Sequence, residues 1–207
     1  MKRILYILSF LTFSFSLLTF TTSCSESEEA SEYDNWQERN QHYVDSISAL
    51  AINGVDGWSR MLAYNLSDSE LFMPNNNQCI YIKKIAKGTG TVKPLSYDYV
   101  RVHYLGRLIS SSTHPQGFVF DKSYKDYTLN EATDVPSLFQ PYSTVVGFGT
   151  AMMNMVEGDH WKVVIPYYLG YGESSNNSSI PAYSTLIFDI KVARIYPFKA
   201  DVNTDWY

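Results

Sequence analysis

VHYLGRL, residues 102–108, is the stretch on which the fold prediction rests. It lies within residues 99–108, along which apolar and polar side chains alternate, as is typical of a β-strand that buries one face. Further strand-like stretches occur at residues 80–85, 160–165 and 183–195. Phe148, Met152 and Met155 recur at helical spacing and predict one short helix. Several antiparallel strands around a single helix predict an α+β domain.

Three further stretches follow VHYLGRL in a fixed order. They are GFVFDKS at residues 117–123, VVGF at 145–148 with Met155 and Gly158 behind it, and LGYG at 169–172. The last leads into Ile180-Pro181 and the strand TLIFD at 185–189. In this order and nearly this spacing, the four stretches resemble the motifs of FKBP-type peptidyl-prolyl isomerases. Each motif alone is weak evidence, whereas the ordered set, within residues 78–197, is strong.

The resemblance implies an antiparallel sheet wrapped around one short helix, and an enzyme that isomerises X–Pro bonds. Such a bond has a rotation barrier of about 20 kcal/mol, because the planar amide loses its resonance when it twists. An apolar pocket lined by aromatic rings disfavours the planar, polar ground state relative to the twisted one. This chemistry needs no nucleophile, metal or other cofactor, and none is expected here.

The resemblance also assigns the site residues by position. Those of the catalytic pocket would be Tyr104, Phe120, Asp121, Val145, Phe148, Tyr171 and Phe188. The Tyr171 hydroxyl and the Val145 N–H would bond substrate carbonyls, and Asp121 would lie at the pocket edge. Ile180 and Phe139 would contact the substrate, Ile180 from the loop that flanks the groove. Phe and Val alone often belong to a core, but a core has no need of the polar ends of Tyr104, Asp121 and Tyr171.

The sequence departs from the family pattern in several places. Phe148 stands where the family usually has Trp, and residues 125–138 are unlike the family, so that Phe139 would replace an aromatic expected near Ser137. Residues 110–116 are an insertion, and the loop 173–179 is polar. Three functions therefore stay open: an active isomerase, a catalytically weak binding or chaperone module, and a structural lipoprotein that presents an interaction surface.

The N-terminus has the order of an export signal. Lys2 and Arg3 precede an apolar stretch at residues 4–20, and small residues then lead to Cys24. This resembles the bacterial lipobox, although Thr21 stands where Leu is usual. It predicts a lipoprotein signal peptide at residues 1–23 and lipidation of Cys24. Ordinary cleavage and an uncleaved anchor are the alternatives, and the second cysteine, Cys79, is expected to be a buried thiol.

An acidic tether is predicted at residues 24–32, directly after the lipobox. Its run SESEE resembles the export tag of surface lipoproteins in Bacteroidetes. The combination predicts a lipid-anchored protein of the outer membrane in the cell envelope, either exposed at the surface or facing the periplasm.

Residues 33–77 are predicted to form a helical segment and a linker. Trp36, Tyr43, Ile47 and Leu50 fall on roughly one face of a helix at residues 33–53. A second short helix is expected at residues 56–64, followed by a linker at 65–77 and, beyond the domain, a loose tail at 198–207. The helix could pack on the main domain, pair with a second copy in a homodimer, or act as a spacer.

The composition excludes one class of partner. The chain has 16 Lys and Arg against 21 Asp and Glu, a formal net charge of −5. Nucleic-acid binding usually needs a basic face, so no nucleic acid is expected. The expected partners are proline-containing polypeptides or unfolded exported proteins.

Overall fold

The computed structural model describes residues 31–66, 74–174 and 179–199. From Glu32 onward they belong to one compact unit. The helices are α1 (Trp36–Ile52) and α2 (Val146–Met152), and the strands are β1 (Trp58–Leu62), β2 (Cys79–Ala86), β3 (Tyr99–Arg107), β4 (Val119–Lys122), β5 (Ser137–Phe139), β6 (His160–Ile165) and β7 (Leu186–Tyr196). The predicted signal peptide, Cys24 and the end of the tail lie outside the described residues.

The strands form one antiparallel sheet of seven strands in the described residues, with the order β1-β2-β6-β7-β3-β4 and β5 paired to β3. β3 and β7 are paired along their length, from Tyr99 opposite Tyr196 to Arg107 opposite Ile187. The sheet and its short helix α2 give the predicted α+β architecture, which is confirmed.

The side of the sheet that faces α2 carries the main core. Every second residue of a strand points to the same face, so the apolar positions of β3 and β7 line up beneath the helix. Their buried side chains pack with Phe148, Ala151 and Met152 of α2 and with Met155. Because a helix of seven residues is too short to be stable alone, this burial supplies most of its stability.

Helix α1 covers part of the opposite side of the sheet. Val44 and Ile47 of the helix pack with Tyr81 and Val164, which pair across β2 and β6. The alternate residues of β2, such as Ile80, belong to the main core instead. Cys79 is a buried free thiol in the α1 cluster, as expected. The helix therefore packs on the main domain, which is one of its three predicted roles, and pairing with a second copy stays a prediction.

Buried hydrogen bonds fix the start of α1 to the chain just before β7. The Trp36 indole Nε1–H donates to Ser184 Oγ at 2.9 Å, and the Thr185 N–H donates to Asn40 Oδ1 at 2.7 Å. The Asn40 amide also donates to the Trp36 carbonyl at 2.7 Å. The helix therefore holds the residues that lead into β7.

The helix expected at residues 56–64 is wrong, because residues 58–62 form strand β1, which pairs with β2 from Trp58 opposite Lys83 to Leu62 opposite Cys79. Gly54 and Gly57 have φ angles of 62° and 74°, a left-handed conformation that ends α1 and turns the chain. β1 precedes the domain boundary predicted at residue 78 and yet belongs to the same sheet. The expected linker at 65–77 includes residues outside the described ranges.

Replacing Asn40 with Ala tests how firmly α1 belongs to the domain. The variant loses two buried hydrogen bonds and leaves the Thr185 N–H without an acceptor, so unfolding in urea should need about 2–3 kcal/mol less free energy. Glu38→Ala, at an exposed position of the same helix, is the matched control and should change stability by less than about 0.5 kcal/mol. Equal stabilities of both variants would show that the helix is only loosely attached.

Candidate active site

A cavity of about 270 Å³ opens between β3, β4 and the start of α2. Its lining residues come from six separate parts of the chain and are Tyr104, Phe120, Asp121, Phe139, Ser143, Thr144, Val145, Phe148, Tyr171 and Phe188. All seven residues that the sequence placed in a catalytic pocket, and Phe139, line this one cavity. Their roles in catalysis remain predictions.

Packed aromatic rings form the floor and walls of the cavity. Phe148 is only 5% exposed, and its ring centroid lies 4.9 Å from that of Phe188 and 5.7 Å from that of Phe139, both close to edge-to-face. The Tyr104 ring stands 6.0 Å from Phe148 at 78°. Edge-to-face packing adds about 0.5–1.5 kcal/mol per pair beyond burial. Phe148 thus closes the floor as an apolar ring without the N–H donor of a Trp.

A bulge in β4 places the Phe120 ring in the cavity. Asp121 pairs with Gly106 and Val119 pairs with Arg107, so that Phe120 is the extra residue on its strand. Bulges of this kind redirect a side chain. The Phe120 ring meets that of Phe188 at 5.5 Å and 89°.

Gly106 provides the room for both rings. A Cβ atom at this position would lie 2.6 Å from Phe120 Cζ and 2.7 Å from Phe188 Cε1, far inside normal contact distance. Gly106 was not predicted as a site residue, although it belongs to the stretch VHYLGRL. A strand glycine was the available signal, because glycine in a strand often marks a close approach of other atoms.

Asp121 organises the polar edge of the cavity. Its Oδ2 accepts a hydrogen bond of 2.8 Å from the Tyr104 hydroxyl, and its Oδ1 accepts one of 2.8 Å from the Lys122 N–H. Burial and the bond to Asp121 raise the pKa of Tyr104, so its phenol stays neutral. The Tyr104 ring is thereby held with its hydroxyl at the edge and its apolar face toward the cavity.

Two hydrogen-bond donors at the cavity lack acceptors within the described parts of the chain. They are the Tyr171 hydroxyl and the Val145 N–H, which precedes the first turn of α2. Tyr171 is 43% exposed, and burial together with the charge of Asp121 raises its pKa, so it remains a donor. Both groups can therefore donate to a carbonyl that enters the cavity.

Two results differ in detail from the prediction. Ile180 is 3% exposed and packs in the main core, and it is not among the residues that line the cavity. Its contact with substrate stays a prediction, and the neighbouring residues 175–178 lie outside the described ranges. Ser143 and Thr144 line the cavity without having been predicted. Nothing in their residue type distinguished them from ordinary loop residues.

Neither a metal site nor a membrane span occurs in the described residues. Within 31–66, 74–174 and 179–199, no three His, Cys, Asp or Glu side chains are placed to hold a metal ion. The two helices of these ranges lack the length and apolar character needed to cross a membrane.

The model of one protein family, described as FKBP-type peptidyl-prolyl cis-trans isomerase, matches residues 90–193. This range contains strands β3 to β6, most of β7 and every residue that lines the cavity, and it accounts for half of the chain. The chain belongs to the FKBP family. The predicted membership of the FKBP family and the predicted class of enzyme, a peptidyl-prolyl isomerase, are thereby confirmed.

Two relatives agree with this assignment. The chain is 35% identical over 161 residues to the macrophage infectivity potentiator of Trypanosoma cruzi, a match that covers 73% of this chain and 76% of that protein. The FKBP-type 22 kDa peptidyl-prolyl cis-trans isomerase of Escherichia coli strain K12 is 34% identical over 116 residues, or 56% of this chain. The chain spans 50% of the length of that E. coli protein.

A solved structure agrees in fold. The peptidyl-prolyl cis-trans isomerase of Pseudomonas syringae superposes with a TM-score of 0.55 at 22% identity, covering 81% of this chain and 98% of that one. At this identity the likeness shows the FKBP fold alone.

Gly106→Ala tests the packing of the cavity. The added methyl group should displace the Phe120 and Phe188 rings, so kcat/KM on a short proline peptide should fall by about tenfold or more, and stability by about 1–3 kcal/mol. A chymotrypsin-coupled isomerisation assay and urea unfolding measure the two effects. A folded variant that keeps full activity would contradict the geometry described for these rings.

Proposed function

We propose that this cavity catalyses cis–trans isomerisation of X–Pro bonds in polypeptides. The observation that carries the proposal is the combination of an aromatic cavity of about 270 Å³ with two donors at its rim that have no acceptor among the described residues. A proline ring would rest on Phe148, walled by Phe120 and Phe188. A ring-lined site of this kind suits a substrate that is apolar at its centre and polar at its carbonyls.

Catalysis would come from the difference between the planar and the twisted amide. The planar bond has the larger dipole and loses more solvation free energy when water is excluded. The rings therefore disfavour the planar amide relative to the twisted transition state. The Tyr171 hydroxyl would hold the carbonyl beside the twisting bond, and the Val145 N–H would hold a carbonyl farther along the chain. Asp121 would act through Tyr104, whose ring it orients. No proton is transferred in this scheme.

A binding or chaperone module without effective turnover is the second candidate. Phe148 is the observation that favours it, because the floor ring is smaller than the Trp usual in the family and has no N–H donor. Such a module would hold proline-containing segments in the same cavity. Turnover on a simple proline peptide separates the two candidates.

The cellular setting that we propose is the bacterial envelope. It is supported by the order of a basic start, an apolar stretch and Cys24, followed by an acidic tether. Uncatalysed isomerisation takes tens of seconds or longer, so an isomerase anchored near newly exported chains would speed their folding. The anchor would be a lipid on Cys24 in the outer membrane, at the surface or facing the periplasm.

A homodimer through α1 would have to use the exposed side of the helix, because Val44 and Ile47 are covered.

Two substitutions test the roles of the cavity side chains. Phe120→Ala should abolish most turnover and cost about 2–4 kcal/mol of stability, because it removes a wall ring. Tyr171→Phe should lower kcat/KM by about fivefold without a loss of stability, since one hydrogen bond of about 1 kcal/mol is lost. Both are measured by the coupled assay on a short proline peptide.

Tyr168→Phe is the matched control for Tyr171→Phe. Tyr168 is an exposed tyrosine three residues away that does not line the cavity, so its variant should keep full activity. Equal activities of the Tyr168 and Tyr171 variants, or full turnover by folded Phe120→Ala, would contradict the proposed site.

Cys24→Ser tests the anchor separately. A diacylated cysteine supplies two acyl chains, which suffice for stable membrane attachment. The variant should leave the membrane fraction, or accumulate as an uncleaved precursor, and it should retain isomerase activity. Detection of an unmodified Cys24 thiol in the mature protein by mass spectrometry would refute the lipoprotein proposal.

A further inference from the structure

Three exposed aromatic rings form a patch, and one of them, Tyr142, directly precedes the cavity-lining residue Ser143. Its members are Tyr97, Tyr142 and Phe198, which are 57%, 49% and 53% exposed, and we call the patch the aromatic platform. The ring centroids of Tyr97 and Tyr142 are 4.7 Å apart, and those of Tyr97 and Phe198 are 6.2 Å apart. Single exposed aromatic residues are normal, whereas contiguous exposed apolar surface often marks an interaction site.

Hydrogen bonds hold the three segments that carry these rings. The Tyr142 N–H donates to the Ser96 carbonyl at 3.1 Å, and the Gln140 amide donates to the Tyr97 carbonyl at 2.9 Å. The Phe198 N–H donates to an oxygen of Asp98 at 2.8 Å. The rings are therefore presented to solvent by a fixed backbone, in a region where the sequence predicted a loose tail from residue 198.

The platform is continuous with the cavity through one segment of chain. Residues 139–145 supply Phe139, Ser143, Thr144 and Val145 to the cavity lining, and Tyr142 lies among them. The cavity itself has room for little more than a proline and parts of its neighbours. A longer polypeptide must therefore leave it across the rim, part of which is formed by the segment that carries Tyr142.

We propose that the aromatic platform binds the part of the client polypeptide that flanks the bound proline, and that it favours clients with apolar or aromatic residues there. The inference rests on the proposed function, since the same client fills the cavity. Three rings expose far less area than the roughly 1,200 Å² buried in a stable protein–protein interface, so a second copy of this chain is a poor occupant. A small patch suffices, however, once the cavity holds the proline of a client. The flanking segment of the same client is then at high effective concentration near the platform.

A pair of synthetic peptides tests the proposal. Both contain one proline with the same immediate neighbours and carry fluorescein; beyond those neighbours, one peptide has aromatic residues and the other has serine. The wild-type chain should bind the aromatic peptide about fivefold more tightly in fluorescence anisotropy, the effect of one or two ring contacts. The double variant Tyr97→Ser, Tyr142→Ser should lose this preference. Tyr142→Phe, which keeps the ring, should retain it.

Tyr64→Ser, which replaces an exposed tyrosine outside the platform, is the control and should behave as the wild type. Isomerisation of a short capped proline peptide should be the same for the wild type and for the double variant, because that substrate does not reach the platform. A preference that persists in the double variant, or is absent from the wild type, overturns the proposal. If the double variant loses turnover equally on the short capped peptide and on the longer aromatic peptide, the proposal is also overturned. Such a loss would mean that the substitutions damaged the cavity. A preference for the aromatic peptide without any turnover would refute the proposed isomerase activity and support binding at the platform.

Discussion

The pairing of β3 with β7 sets Gly106 opposite Phe188, and the missing side chain at Gly106 leaves the space into which the rings of Phe120 and Phe188 pack. The rest of the site depends on this arrangement. The bulge in β4 turns Phe120 toward that space, and Phe148 closes the floor against Phe188. An aromatic cavity that is open to water exposes apolar surface, which is unfavourable in free energy. Edge-to-face packing of the rings against one another offsets part of this cost.

The fold also fixes β7 from outside the cavity. Asn40 of α1 accepts the Thr185 N–H one residue before β7 begins, and Trp36 donates to Ser184. These bonds are buried, where a lost partner costs about 1–3 kcal/mol. A segment that precedes the family's matched region in sequence thus holds the start of the strand that carries Phe188. In this chain the helix is part of the isomerase fold as well as a connection to the predicted anchor.

Local patterns in the sequence predicted the strand at 99–108 and the short helix α2. The residues that meet in the cavity were predicted from the resemblance to the ordered motifs of the FKBP family. Contacts between distant residues were less accessible. The docking of α1 depends on Asn40 meeting Thr185, and no pattern near either residue reveals it. The sequence predicted a helix where β1 lies. Pairing with β2 determines the extended conformation of these residues, and that pairing is a contact between distant parts of the chain. The burial of Ile180 likewise follows from packing that motif positions do not report.

In the proposed function one cavity, with Val145 as donor and Phe120 as wall, both binds and isomerises X–Pro bonds. Exchange NMR of a proline peptide, with ¹⁵N-labelled protein added in a small molar fraction, measures both parts of this function. The peptide signals report turnover, and the protein amide signals report the binding site. We expect cis–trans exchange cross-peaks of the peptide that are absent without protein, and chemical-shift changes of the Val145 amide on titration. Unchanged exchange, or shift changes confined to residues away from the cavity while Val145 stays unaffected, would show that this cavity is not the isomerase site.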